Sequence, residues 1–271
     1  MQLYIANKNY SSWSLRPWLL MTELGIPFEE KLMVFSESGN WDRFRRFAPN
    51  GKVPCLVDGD ITVWDSLAIA EYLAERHPGV WPVVRANRAW ARSAAAEMHS
   101  GFADLRNECG MNCGIRVRLD KRSAGLEKDI TRVDELWRDG LQRFGGPFLA
   151  GANFSAVDAF FGPVAFRVQT YGLELSPAAS AYAQRLLALP GMQAWYAAGL
   201  AEVWREVEHE RDTTSRGEVL EDLRAPRGLT EPTVSPRPDS GQPEQPIDCR
   251  PMARQFPGPC PRARPSPICA G

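Results

Sequence analysis

The chain has 271 residues, of which 44% are hydrophobic and 24% charged, and 32 Lys and Arg balance 33 Asp and Glu. A chain of this length predicts one or two globular domains. The near-zero net charge argues against a dedicated binder of nucleic acid or of an anionic membrane, because such affinity needs excess positive charge. Neither a secretory signal nor an apolar run of about 18 residues is present, so the expected location is the cytoplasm.

The first 78 residues predict a small α/β domain of order βαβαββα. The helix that begins near Trp13 contains Pro17 in its first turn and stops at Gly25, and Ser14 is its expected cap. Asp58-Gly59 is a strong hairpin signal. The other elements in this domain are strands over 2–6, 28–34, 53–57 and 61–64, and helices over 40–47 and 66–76.

The next part of the chain changes character. After a linker at 79–85, residues 86–211 carry helical periodicity with no convincing strand, which predicts an all-α C-terminal domain. Ser155 followed by Asp158 has the form of a helix N-terminal cap. The predicted helices cover 86–107, 126–144, 157–171, 178–189 and 192–208.

Composition changes again at residue 212. Residues 212–271 hold 12 of the 22 prolines, no Lys and none of the nine Trp. Because proline interrupts helix interiors and central strands, and no hydrophobic periodicity is visible, the pattern predicts a Pro-rich disordered tail. Two alternatives stay open, a proline-rich ligand and a run-on or frameshifted coding end.

Three cysteines lie in the body of the chain. Cys109 and Cys113 are spaced as i and i+4, but no second Cys/His pair with zinc-site spacing accompanies them. Cys55 falls inside a predicted strand. We expect ordinary thiols, with Cys55 in the core, and no metal.

Several ordered motifs resemble those of the soluble glutathione S-transferases. The segment Ser11-Ser12-Trp13-Ser14-Leu15-Arg16 is similar to the Ser-Ser-Cys-x-x-Arg helix start of the Zeta class. Residues 48–56 resemble the family's NPxGKVPxL segment, whose proline is cis, and residues 64–69 resemble its [ED]-S-x-A-I element. The resemblance covers about residues 1–208. It implies a thioredoxin-like N-terminal domain, an all-α C-terminal domain and a homodimer.

The sequence departs from the Zeta class at two places, which narrows the branch of the family that it resembles. Trp13 stands where Zeta enzymes carry Cys, and Pro17-Trp18 replaces their Val-Arg. Residues 97–102 are closer to a bacterial branch than to maleylacetoacetate isomerases. The chain is therefore expected to be a serine-type, Zeta-like member of that branch. With no Cys facing the thiol, mixed-disulfide reductase chemistry is disfavoured.

The resemblance also implies a glutathione site in the first domain. A simple thiol titrates near 8.5, and lowering its pKa by about two units takes roughly 2.7 kcal/mol. A hydroxyl donor and a helix N-terminus can each supply about 1 kcal/mol or more. The family alignment makes Ser11 the donor to sulfur, with a cap or loop serine as the alternative. The implied glutathione-binding residues are Ser12, Lys52, Val53, Pro54, Asp65 and Ser66.

Each binding residue has an expected partner. Val53, before a cis Pro54, would present its backbone to the cysteinyl part of the peptide. Lys52 would meet a carboxylate, with a surface lysine as the alternative. Ser66 would bind the γ-glutamyl carboxylate at a helix N-terminus. Asp65 would meet the ammonium group. Helix capping is the alternative for both Asp65 and Ser66.

The electrophile site is expected beside the first long helix of the second domain. His99, Phe102 and Arg106 are spaced as i, i+3 and i+7, so they are predicted to share one face of that helix. A helix-packing face is the alternative. Trp13 either lines the pocket or packs, and Arg167 is a further candidate for meeting an acidic substrate.

The leading hypothesis is a glutathione transferase that conjugates the thiolate to a small electrophile, with glutathione as co-substrate. One alternative is a glutathione-dependent cis–trans isomerase of the maleylacetoacetate type, which needs a cationic anchor for a dicarboxylate. The other is a non-catalytic binding module on the same fold.

Overall fold

The computed structural model describes residues 1–36 and 39–226. Its first part has the predicted βαβαββα order, in which a small sheet packs against helices. The elements are β1 (Gln2–Ile5), α1 (Ser12–Glu23), β2 (Glu29–Leu32), α2 (Trp41–Phe44), β3 (Cys55–Asp58), β4 (Ile61–Trp64) and α3 (Ser66–Ala74).

The strand order in the sheet is β2-β1-β3-β4. Strand β1 pairs parallel with β2 and antiparallel with β3, and β3 pairs antiparallel with β4. Asp58 and Ile61 close the β3–β4 hairpin, and Gly59 in its turn has a φ of 63°. A positive φ suits glycine, which has no Cβ to clash. The N-terminal domain therefore has the mixed sheet of a thioredoxin-like fold.

The second part is predominantly helical. Its helices surround α7, which is buried along nearly its whole length. Gly162 lets α7 approach α1 closely, because a Cβ there would lie 2.9 Å from the Leu19 side chain. The elements are α4 (Arg85–Ser100), α5 (Ala103–Glu108), β5 (Ile115–Leu119), α6 (Ala124–Phe144), α7 (Ala156–Tyr171), α8 (Pro177–Leu187), α9 (Pro190–Ala201), α10 (Val207–Thr214) and β6 (Gly217–Asp222).

The expectation that no strand interrupts residues 86–211 is wrong. Strands β5 and β6 form a two-stranded antiparallel sheet in which Ile115 pairs with Asp222 and Leu119 with Gly217. Strand β5 alternates buried Ile115 and Val117 with arginines, which is the period of a half-buried strand. Its partner lies about a hundred residues later, so neither segment shows the pairing by itself.

The prediction of one helix over 86–107 is also wrong. The helix ends at Gly101, and Phe102 adopts the left-handed conformation with φ 57° and ψ 45° before α5 begins. Arg106 then folds back and donates to the carbonyl oxygens of His99, at 2.8 Å, and Gly101, at 2.7 Å. A cation there satisfies carbonyl groups that the helix end leaves open. His99, Phe102 and Arg106 therefore do not share one helical face.

The predicted tail over 212–271 is ordered in its first part. The end of α10 and the whole of β6 lie there, and the Arg224 side chain is only 4% exposed. It donates to Glu210 at 3.0 Å and to Asp222 at 2.8 Å. These ion pairs and the strand pairing offset the lack of an apolar core segment. The rest of the predicted tail, residues 227–271, lies outside the described residues.

Two local predictions are confirmed. The Val53-Pro54 peptide bond is cis. Ser155 and Asp158 form the capping box that begins α7.

Cys55, Cys109 and Cys113 are free and buried. No helix in the described part is both long and apolar enough to cross a bilayer.

Candidate active site

The N-terminus of α1 is capped by Ser11 rather than by the predicted Ser14. The Ser11 hydroxyl donates to Ser14 Oγ at 2.7 Å and accepts from the Ser14 backbone N–H at 3.4 Å. Ser14 Oγ in turn accepts from the backbone N–H of Ala6 at 3.1 Å. Ser14 is fully buried and joins the helix to β1. The hydroxyl proton of Ser11 is thus used inside the protein.

Ser12, the first residue of α1, differs from Ser11. No described residue hydrogen-bonds its hydroxyl, although the residue is only 8% exposed. The backbone N–H of Trp13 likewise has no partner in the described part of the chain. Both groups stand at the positive end of the helix dipole. They form a pair of unused donors that suits an anion.

Hydrogen bonds to residues near the C-terminal end of the described structure hold the loop before α1 in place. The Glu202 carboxylate accepts from the backbone N–H of Lys8 at 2.6 Å and of Asn9 at 3.3 Å. The Tyr10 hydroxyl donates to Glu210 on α10 at 2.6 Å. Burial raises the pKa of Glu202, and burial together with Glu210 raises that of Tyr10. These buried bonds fix the position of the loop.

The N-terminus of α3 carries Asp65 and Ser66. Asp65 is the cap, with a φ of 77°, and its Oδ1 accepts from the Leu67 backbone N–H at 2.8 Å. Its Oδ2 lies 3.5 Å from His99 Nε2. Ser66 is 1% exposed, and no hydrogen bond among the described residues uses its backbone N–H. One carboxylate and one open helix N-terminus therefore lie side by side.

Sequence reasoning missed Arg16 as a site residue. Its side chain is 1% exposed, and its closest polar contact is Nη1 to Ser66 Oγ at 3.5 Å. No described residue accepts a hydrogen bond from its Nε. Burial, followed by the charges of Arg106 and Arg167, lowers the pKa of Arg16. A buried guanidinium that lacks a carboxylate partner is costly, so the arrangement points to an anion at Ser66.

One signal in the sequence could have indicated Arg16. Arg16 is the one charged residue between Trp13 and Met21, and the only other residue there with a hydroxyl, amide or charged side chain is Ser14. A charged residue surrounded by apolar ones in a buried helix calls for a partner.

The Trp13 ring contacts Arg16 and two of the residues predicted for the electrophile site. The guanidinium carbon of Arg16 lies 4.1 Å and that of Arg106 4.9 Å from its ring centroid. The His99 ring meets its edge at 5.3 Å. Phe102 is 6% exposed and belongs to the core. The structure therefore brings Trp13, His99 and Arg106 together around one ring and leaves Phe102 as a packing residue.

The segment before β3 offers free backbone. No hydrogen bond among the described residues uses the N–H or C=O of Val53. Pro54 and Cys55 behind it are buried, and burial raises the pKa of the Cys55 thiol to about 11. Lys52 is exposed, and its backbone N–H donates to Asn50 Oδ1 at 3.1 Å. Val53 is thus able to pair with an extended peptide.

Arg167 is turned inward. Its side chain is buried and donates to the carbonyl oxygens of Cys109 at 2.8 Å and Pro163 at 3.3 Å. Burial lowers its pKa to about 10. These bonds use the guanidinium for structure, so Arg167 is not a free anchor for a substrate. In the described residues, no group of three or more His, Cys, Asp or Glu side chains has the arrangement of a metal site.

Models of two known protein domains match this chain. The model for the N-terminal domain of glutathione S-transferases matches residues 10–76, and that for their C-terminal domain matches residues 88–198. The chain belongs to the glutathione S-transferase family.

Curated glutathione S-transferase relatives agree with the match. Glutathione S-transferase 1 of Dianthus caryophyllus is 28% identical over 185 residues, which are 65% of this chain and 81% of that protein. A probable maleylacetoacetate isomerase of Caenorhabditis elegans is 26% identical and covers 65% and 82%. A dichloromethane dehalogenase of Methylorubrum extorquens is 43% identical over only 61 residues, 22% of this chain and 21% of that protein.

A solved glutathione S-transferase gives the same fold. The theta-class enzyme of Xanthomonas axonopodis pv. citri, with glutathione bound, is 26% identical. It aligns with a TM-score of 0.54 and covers 72% of this chain and 96% of that one. In this transferase-family chain, the two open helix N-termini and the free Val53 backbone lie in the thioredoxin-like domain.

Proposed function

We propose that this chain is a glutathione transferase, which ionises the glutathione thiol at the N-terminus of α1 and directs the thiolate at a small electrophile. The observation that carries the proposal is a set of polar groups in the first domain that no described residue hydrogen-bonds, together with one carboxylate beside them. The groups are the donors of Ser12 and Trp13, the backbone of Val53 and the Nε of Arg16, and the carboxylate is that of Asp65 at the N-terminus of α3.

These groups match the charges and hydrogen-bonding groups of a γ-glutamyl-cysteinyl-glycine tripeptide. The γ-glutamyl carboxylate is complementary to the Ser66 N–H and to Arg16, and its ammonium group to Asp65. The cysteinyl N–H and C=O pair with Val53 as an added strand would. Lys52 is exposed beside Val53 and complements the glycyl carboxylate. Glutathione-bound structures in the family support glutathione as the ligand.

Two serines compete for the role of donor to sulfur. Ser11, the residue assigned by the family alignment, donates to Ser14 and has to break that bond to reach a thiolate. The Ser12 hydroxyl has no such bond. Ser11 stays a prediction, and we favour Ser12. Either hydroxyl acts together with the helix dipole. A hydrogen bond to a charged group contributes about 1.5–3 kcal/mol and the dipole up to about 1 kcal/mol, so their sum covers the roughly 2.7 kcal/mol that a two-unit shift of the thiol pKa requires.

The isomerase alternative needs a cation free to hold a dicarboxylate. Arg106 donates to three carbonyl oxygens, and Arg167 to two. Their hydrogen-bonding capacity is largely used. Conjugation is therefore favoured over isomerisation, even though some curated relatives are probable isomerases. A homodimer in the cytoplasm remains part of the proposal.

Thiolate absorbance of the bound ligand tests the proposal. Titration of the glutathione complex is expected to show a thiol pKa about two units below that of free glutathione. Ser12→Ala is expected to remove at least one unit of that shift, and Ser11→Ala to leave most of it. The reverse order assigns the role to Ser11. Absence of binding in calorimetry would exclude the function, and binding without turnover of any electrophile in a panel would favour the non-catalytic alternative.

A further inference from the structure

His99 links the helical domain to the cap of α3. Its Nε2 lies 3.5 Å from Asp65 Oδ2, and its ring meets the edge of Trp13 at 5.3 Å with an interplanar angle of 81°. The ring of Phe160, on α7, lies 6.4 Å away. His99 Nδ1 is buried and has no hydrogen-bond partner within residues 1–36 and 39–226. One edge of the imidazole is thus turned to Asp65, and the other is enclosed.

The charges around His99 disfavour its protonated form. Burial lowers its pKa first, Asp65 opposes that effect, and the cations Arg16 and Arg106 lower the pKa further. Glu71, on α3, lines the same groove as Asp65 and His99. From α7 the neighbour is the uncharged Phe160 ring. A proton on Nδ1 would also lack an acceptor, so His99 is neutral at pH 7 and is oriented by its contact with Asp65.

We propose that His99 is a positioning residue, which holds the Asp65 carboxylate for the ammonium group of glutathione and competes with that ammonium once it is protonated. The inference rests on the proposed function. A neutral imidazole with its proton on Nε2 directs that N–H towards the carboxylate, 3.5 Å away, and orients it without removing its charge. An imidazolium pairs with the same carboxylate and adds a positive charge beside the ligand's ammonium.

The sign of the pH effect follows from linkage. Glutathione binding disfavours protonated His99, so protonation of His99 disfavours binding. Affinity is full above the pKa of His99 and falls as the pH drops through it. Since that pKa lies below the ordinary value of 6.5, the fall occurs under mildly acidic conditions.

The test uses a glutathione whose thiol is blocked, so that ionisation of sulfur plays no part. The dissociation constants of S-hexylglutathione and of its analogue without the amino group are measured by calorimetry between pH 5 and pH 7. Over this range the ligand's ammonium and carboxylates keep their charge. The proteins are the full-length wild type and His99→Gln, whose amide donates to Asp65 without titrating. Circular dichroism at each pH verifies that both are folded.

The wild type is expected to lose about threefold or more in affinity for S-hexylglutathione over this range, since a competing proton costs up to about a factor of ten per pH unit below the pKa of the group that binds it. His99→Gln is expected to lose less than about twofold, as is the wild type with the amino-free analogue. An equal loss in His99→Gln, or with the amino-free analogue, overturns the inference and leaves glutathione binding intact. Failure of both ligands to bind either protein at any pH overturns the proposed function.

Discussion

A serine caps the N-terminus of both α1 and α7, but the polar groups at the two ends are used differently. At α7, the Asp158 carboxylate accepts from the backbone N–H groups of Leu149 and Ser155, each at 3.0 Å, and from the Tyr182 hydroxyl at 2.7 Å. At α1, no acidic residue lies in the first turn, and the Ser12 hydroxyl has no partner among the described residues. We call the α7 N-terminus closed, because its donors have an acceptor in the protein. We call the α1 N-terminus open, because its donors have none among the described residues.

The difference is the one expected between a helix N-terminus that serves stability and one that binds a ligand. A closed cap contributes to stability, because each buried donor has its acceptor. An open N-terminus gives up that contribution and retains donors for a ligand. Mutations at α7 should therefore change the free energy of unfolding, whereas those at α1 should change chemistry.

The largest expected effect is that of Asp158→Ala at the closed terminus. It leaves the N–H groups of Leu149 and Ser155 and the Tyr182 hydroxyl without their acceptor, which is expected to lower the free energy of unfolding by about 3–5 kcal/mol. Urea unfolding measures the loss. Ser155→Ala is the matched control, with a loss of about 1 kcal/mol. Equal losses in both variants would show that the carboxylate is not the centre of this cap.

Asp158 also predicts a pH dependence. Burial raises its pKa from 3.8 to about 6 in the folded protein. Below the unfolded value both states are protonated. Between the two values the folded state keeps a proton that the unfolded state has released. The free energy of unfolding should therefore fall by about 3 kcal/mol as the pH rises from about 4 to about 6.

The contribution of Asp158 is isolated by comparison with Asp158→Asn, which does not titrate. The difference in unfolding free energy between the wild type and this variant should change across the same pH window. A constant difference would mean that the carboxyl group has the same pKa in both states.

At the open terminus, Ser12→Ala is expected to lower kcat/KM about 10–100-fold, because a hydrogen bond to a thiolate contributes about 1.5–3 kcal/mol. Stability should change by less than about 1 kcal/mol, since no protein bond is lost. Ser11→Ala is the control and should show the opposite pattern, with about 1 kcal/mol of stability lost as a cap. Steady-state kinetics and urea unfolding of both variants distinguish the two serines.

The smallest expected effect is that of Arg16→Met. Removing the guanidinium is expected to weaken glutathione binding about tenfold, as one charge-assisted contact is lost. Stability should stay equal or rise, because a buried charge without a carboxylate partner is replaced by an apolar side chain. A large loss of stability with unchanged binding would show that Arg16 has a packing role only. Calorimetric binding and urea unfolding give the two quantities.

The parts that were predictable from sequence depend on neighbours close in the chain. The Asp58-Gly59 hairpin, the cis Pro54 and the Ser155–Asp158 cap each involve a few consecutive residues. Strand β6 was not predictable, because its partner β5 lies about a hundred residues earlier. The burial of Arg16 results from packing between α1 and α7. The direction of the Ser11 hydroxyl depends on side-chain torsion, which no sequence pattern specifies.

The bonds from Glu202 to the loop before α1 have a consequence for biosynthesis. Lys8 and Glu202 are 194 residues apart. The loop is therefore synthesised long before Glu202, and its hydrogen bonds to Glu202 cannot form until that residue has been made. Contacts of such long separation form late in folding. A chain truncated before residue 202 would carry Ser11 and Ser12 without the carboxylate that fixes the preceding turn. The N-terminus of α1 is thereby kept incomplete until the synthesis of the domain that faces it is nearly finished.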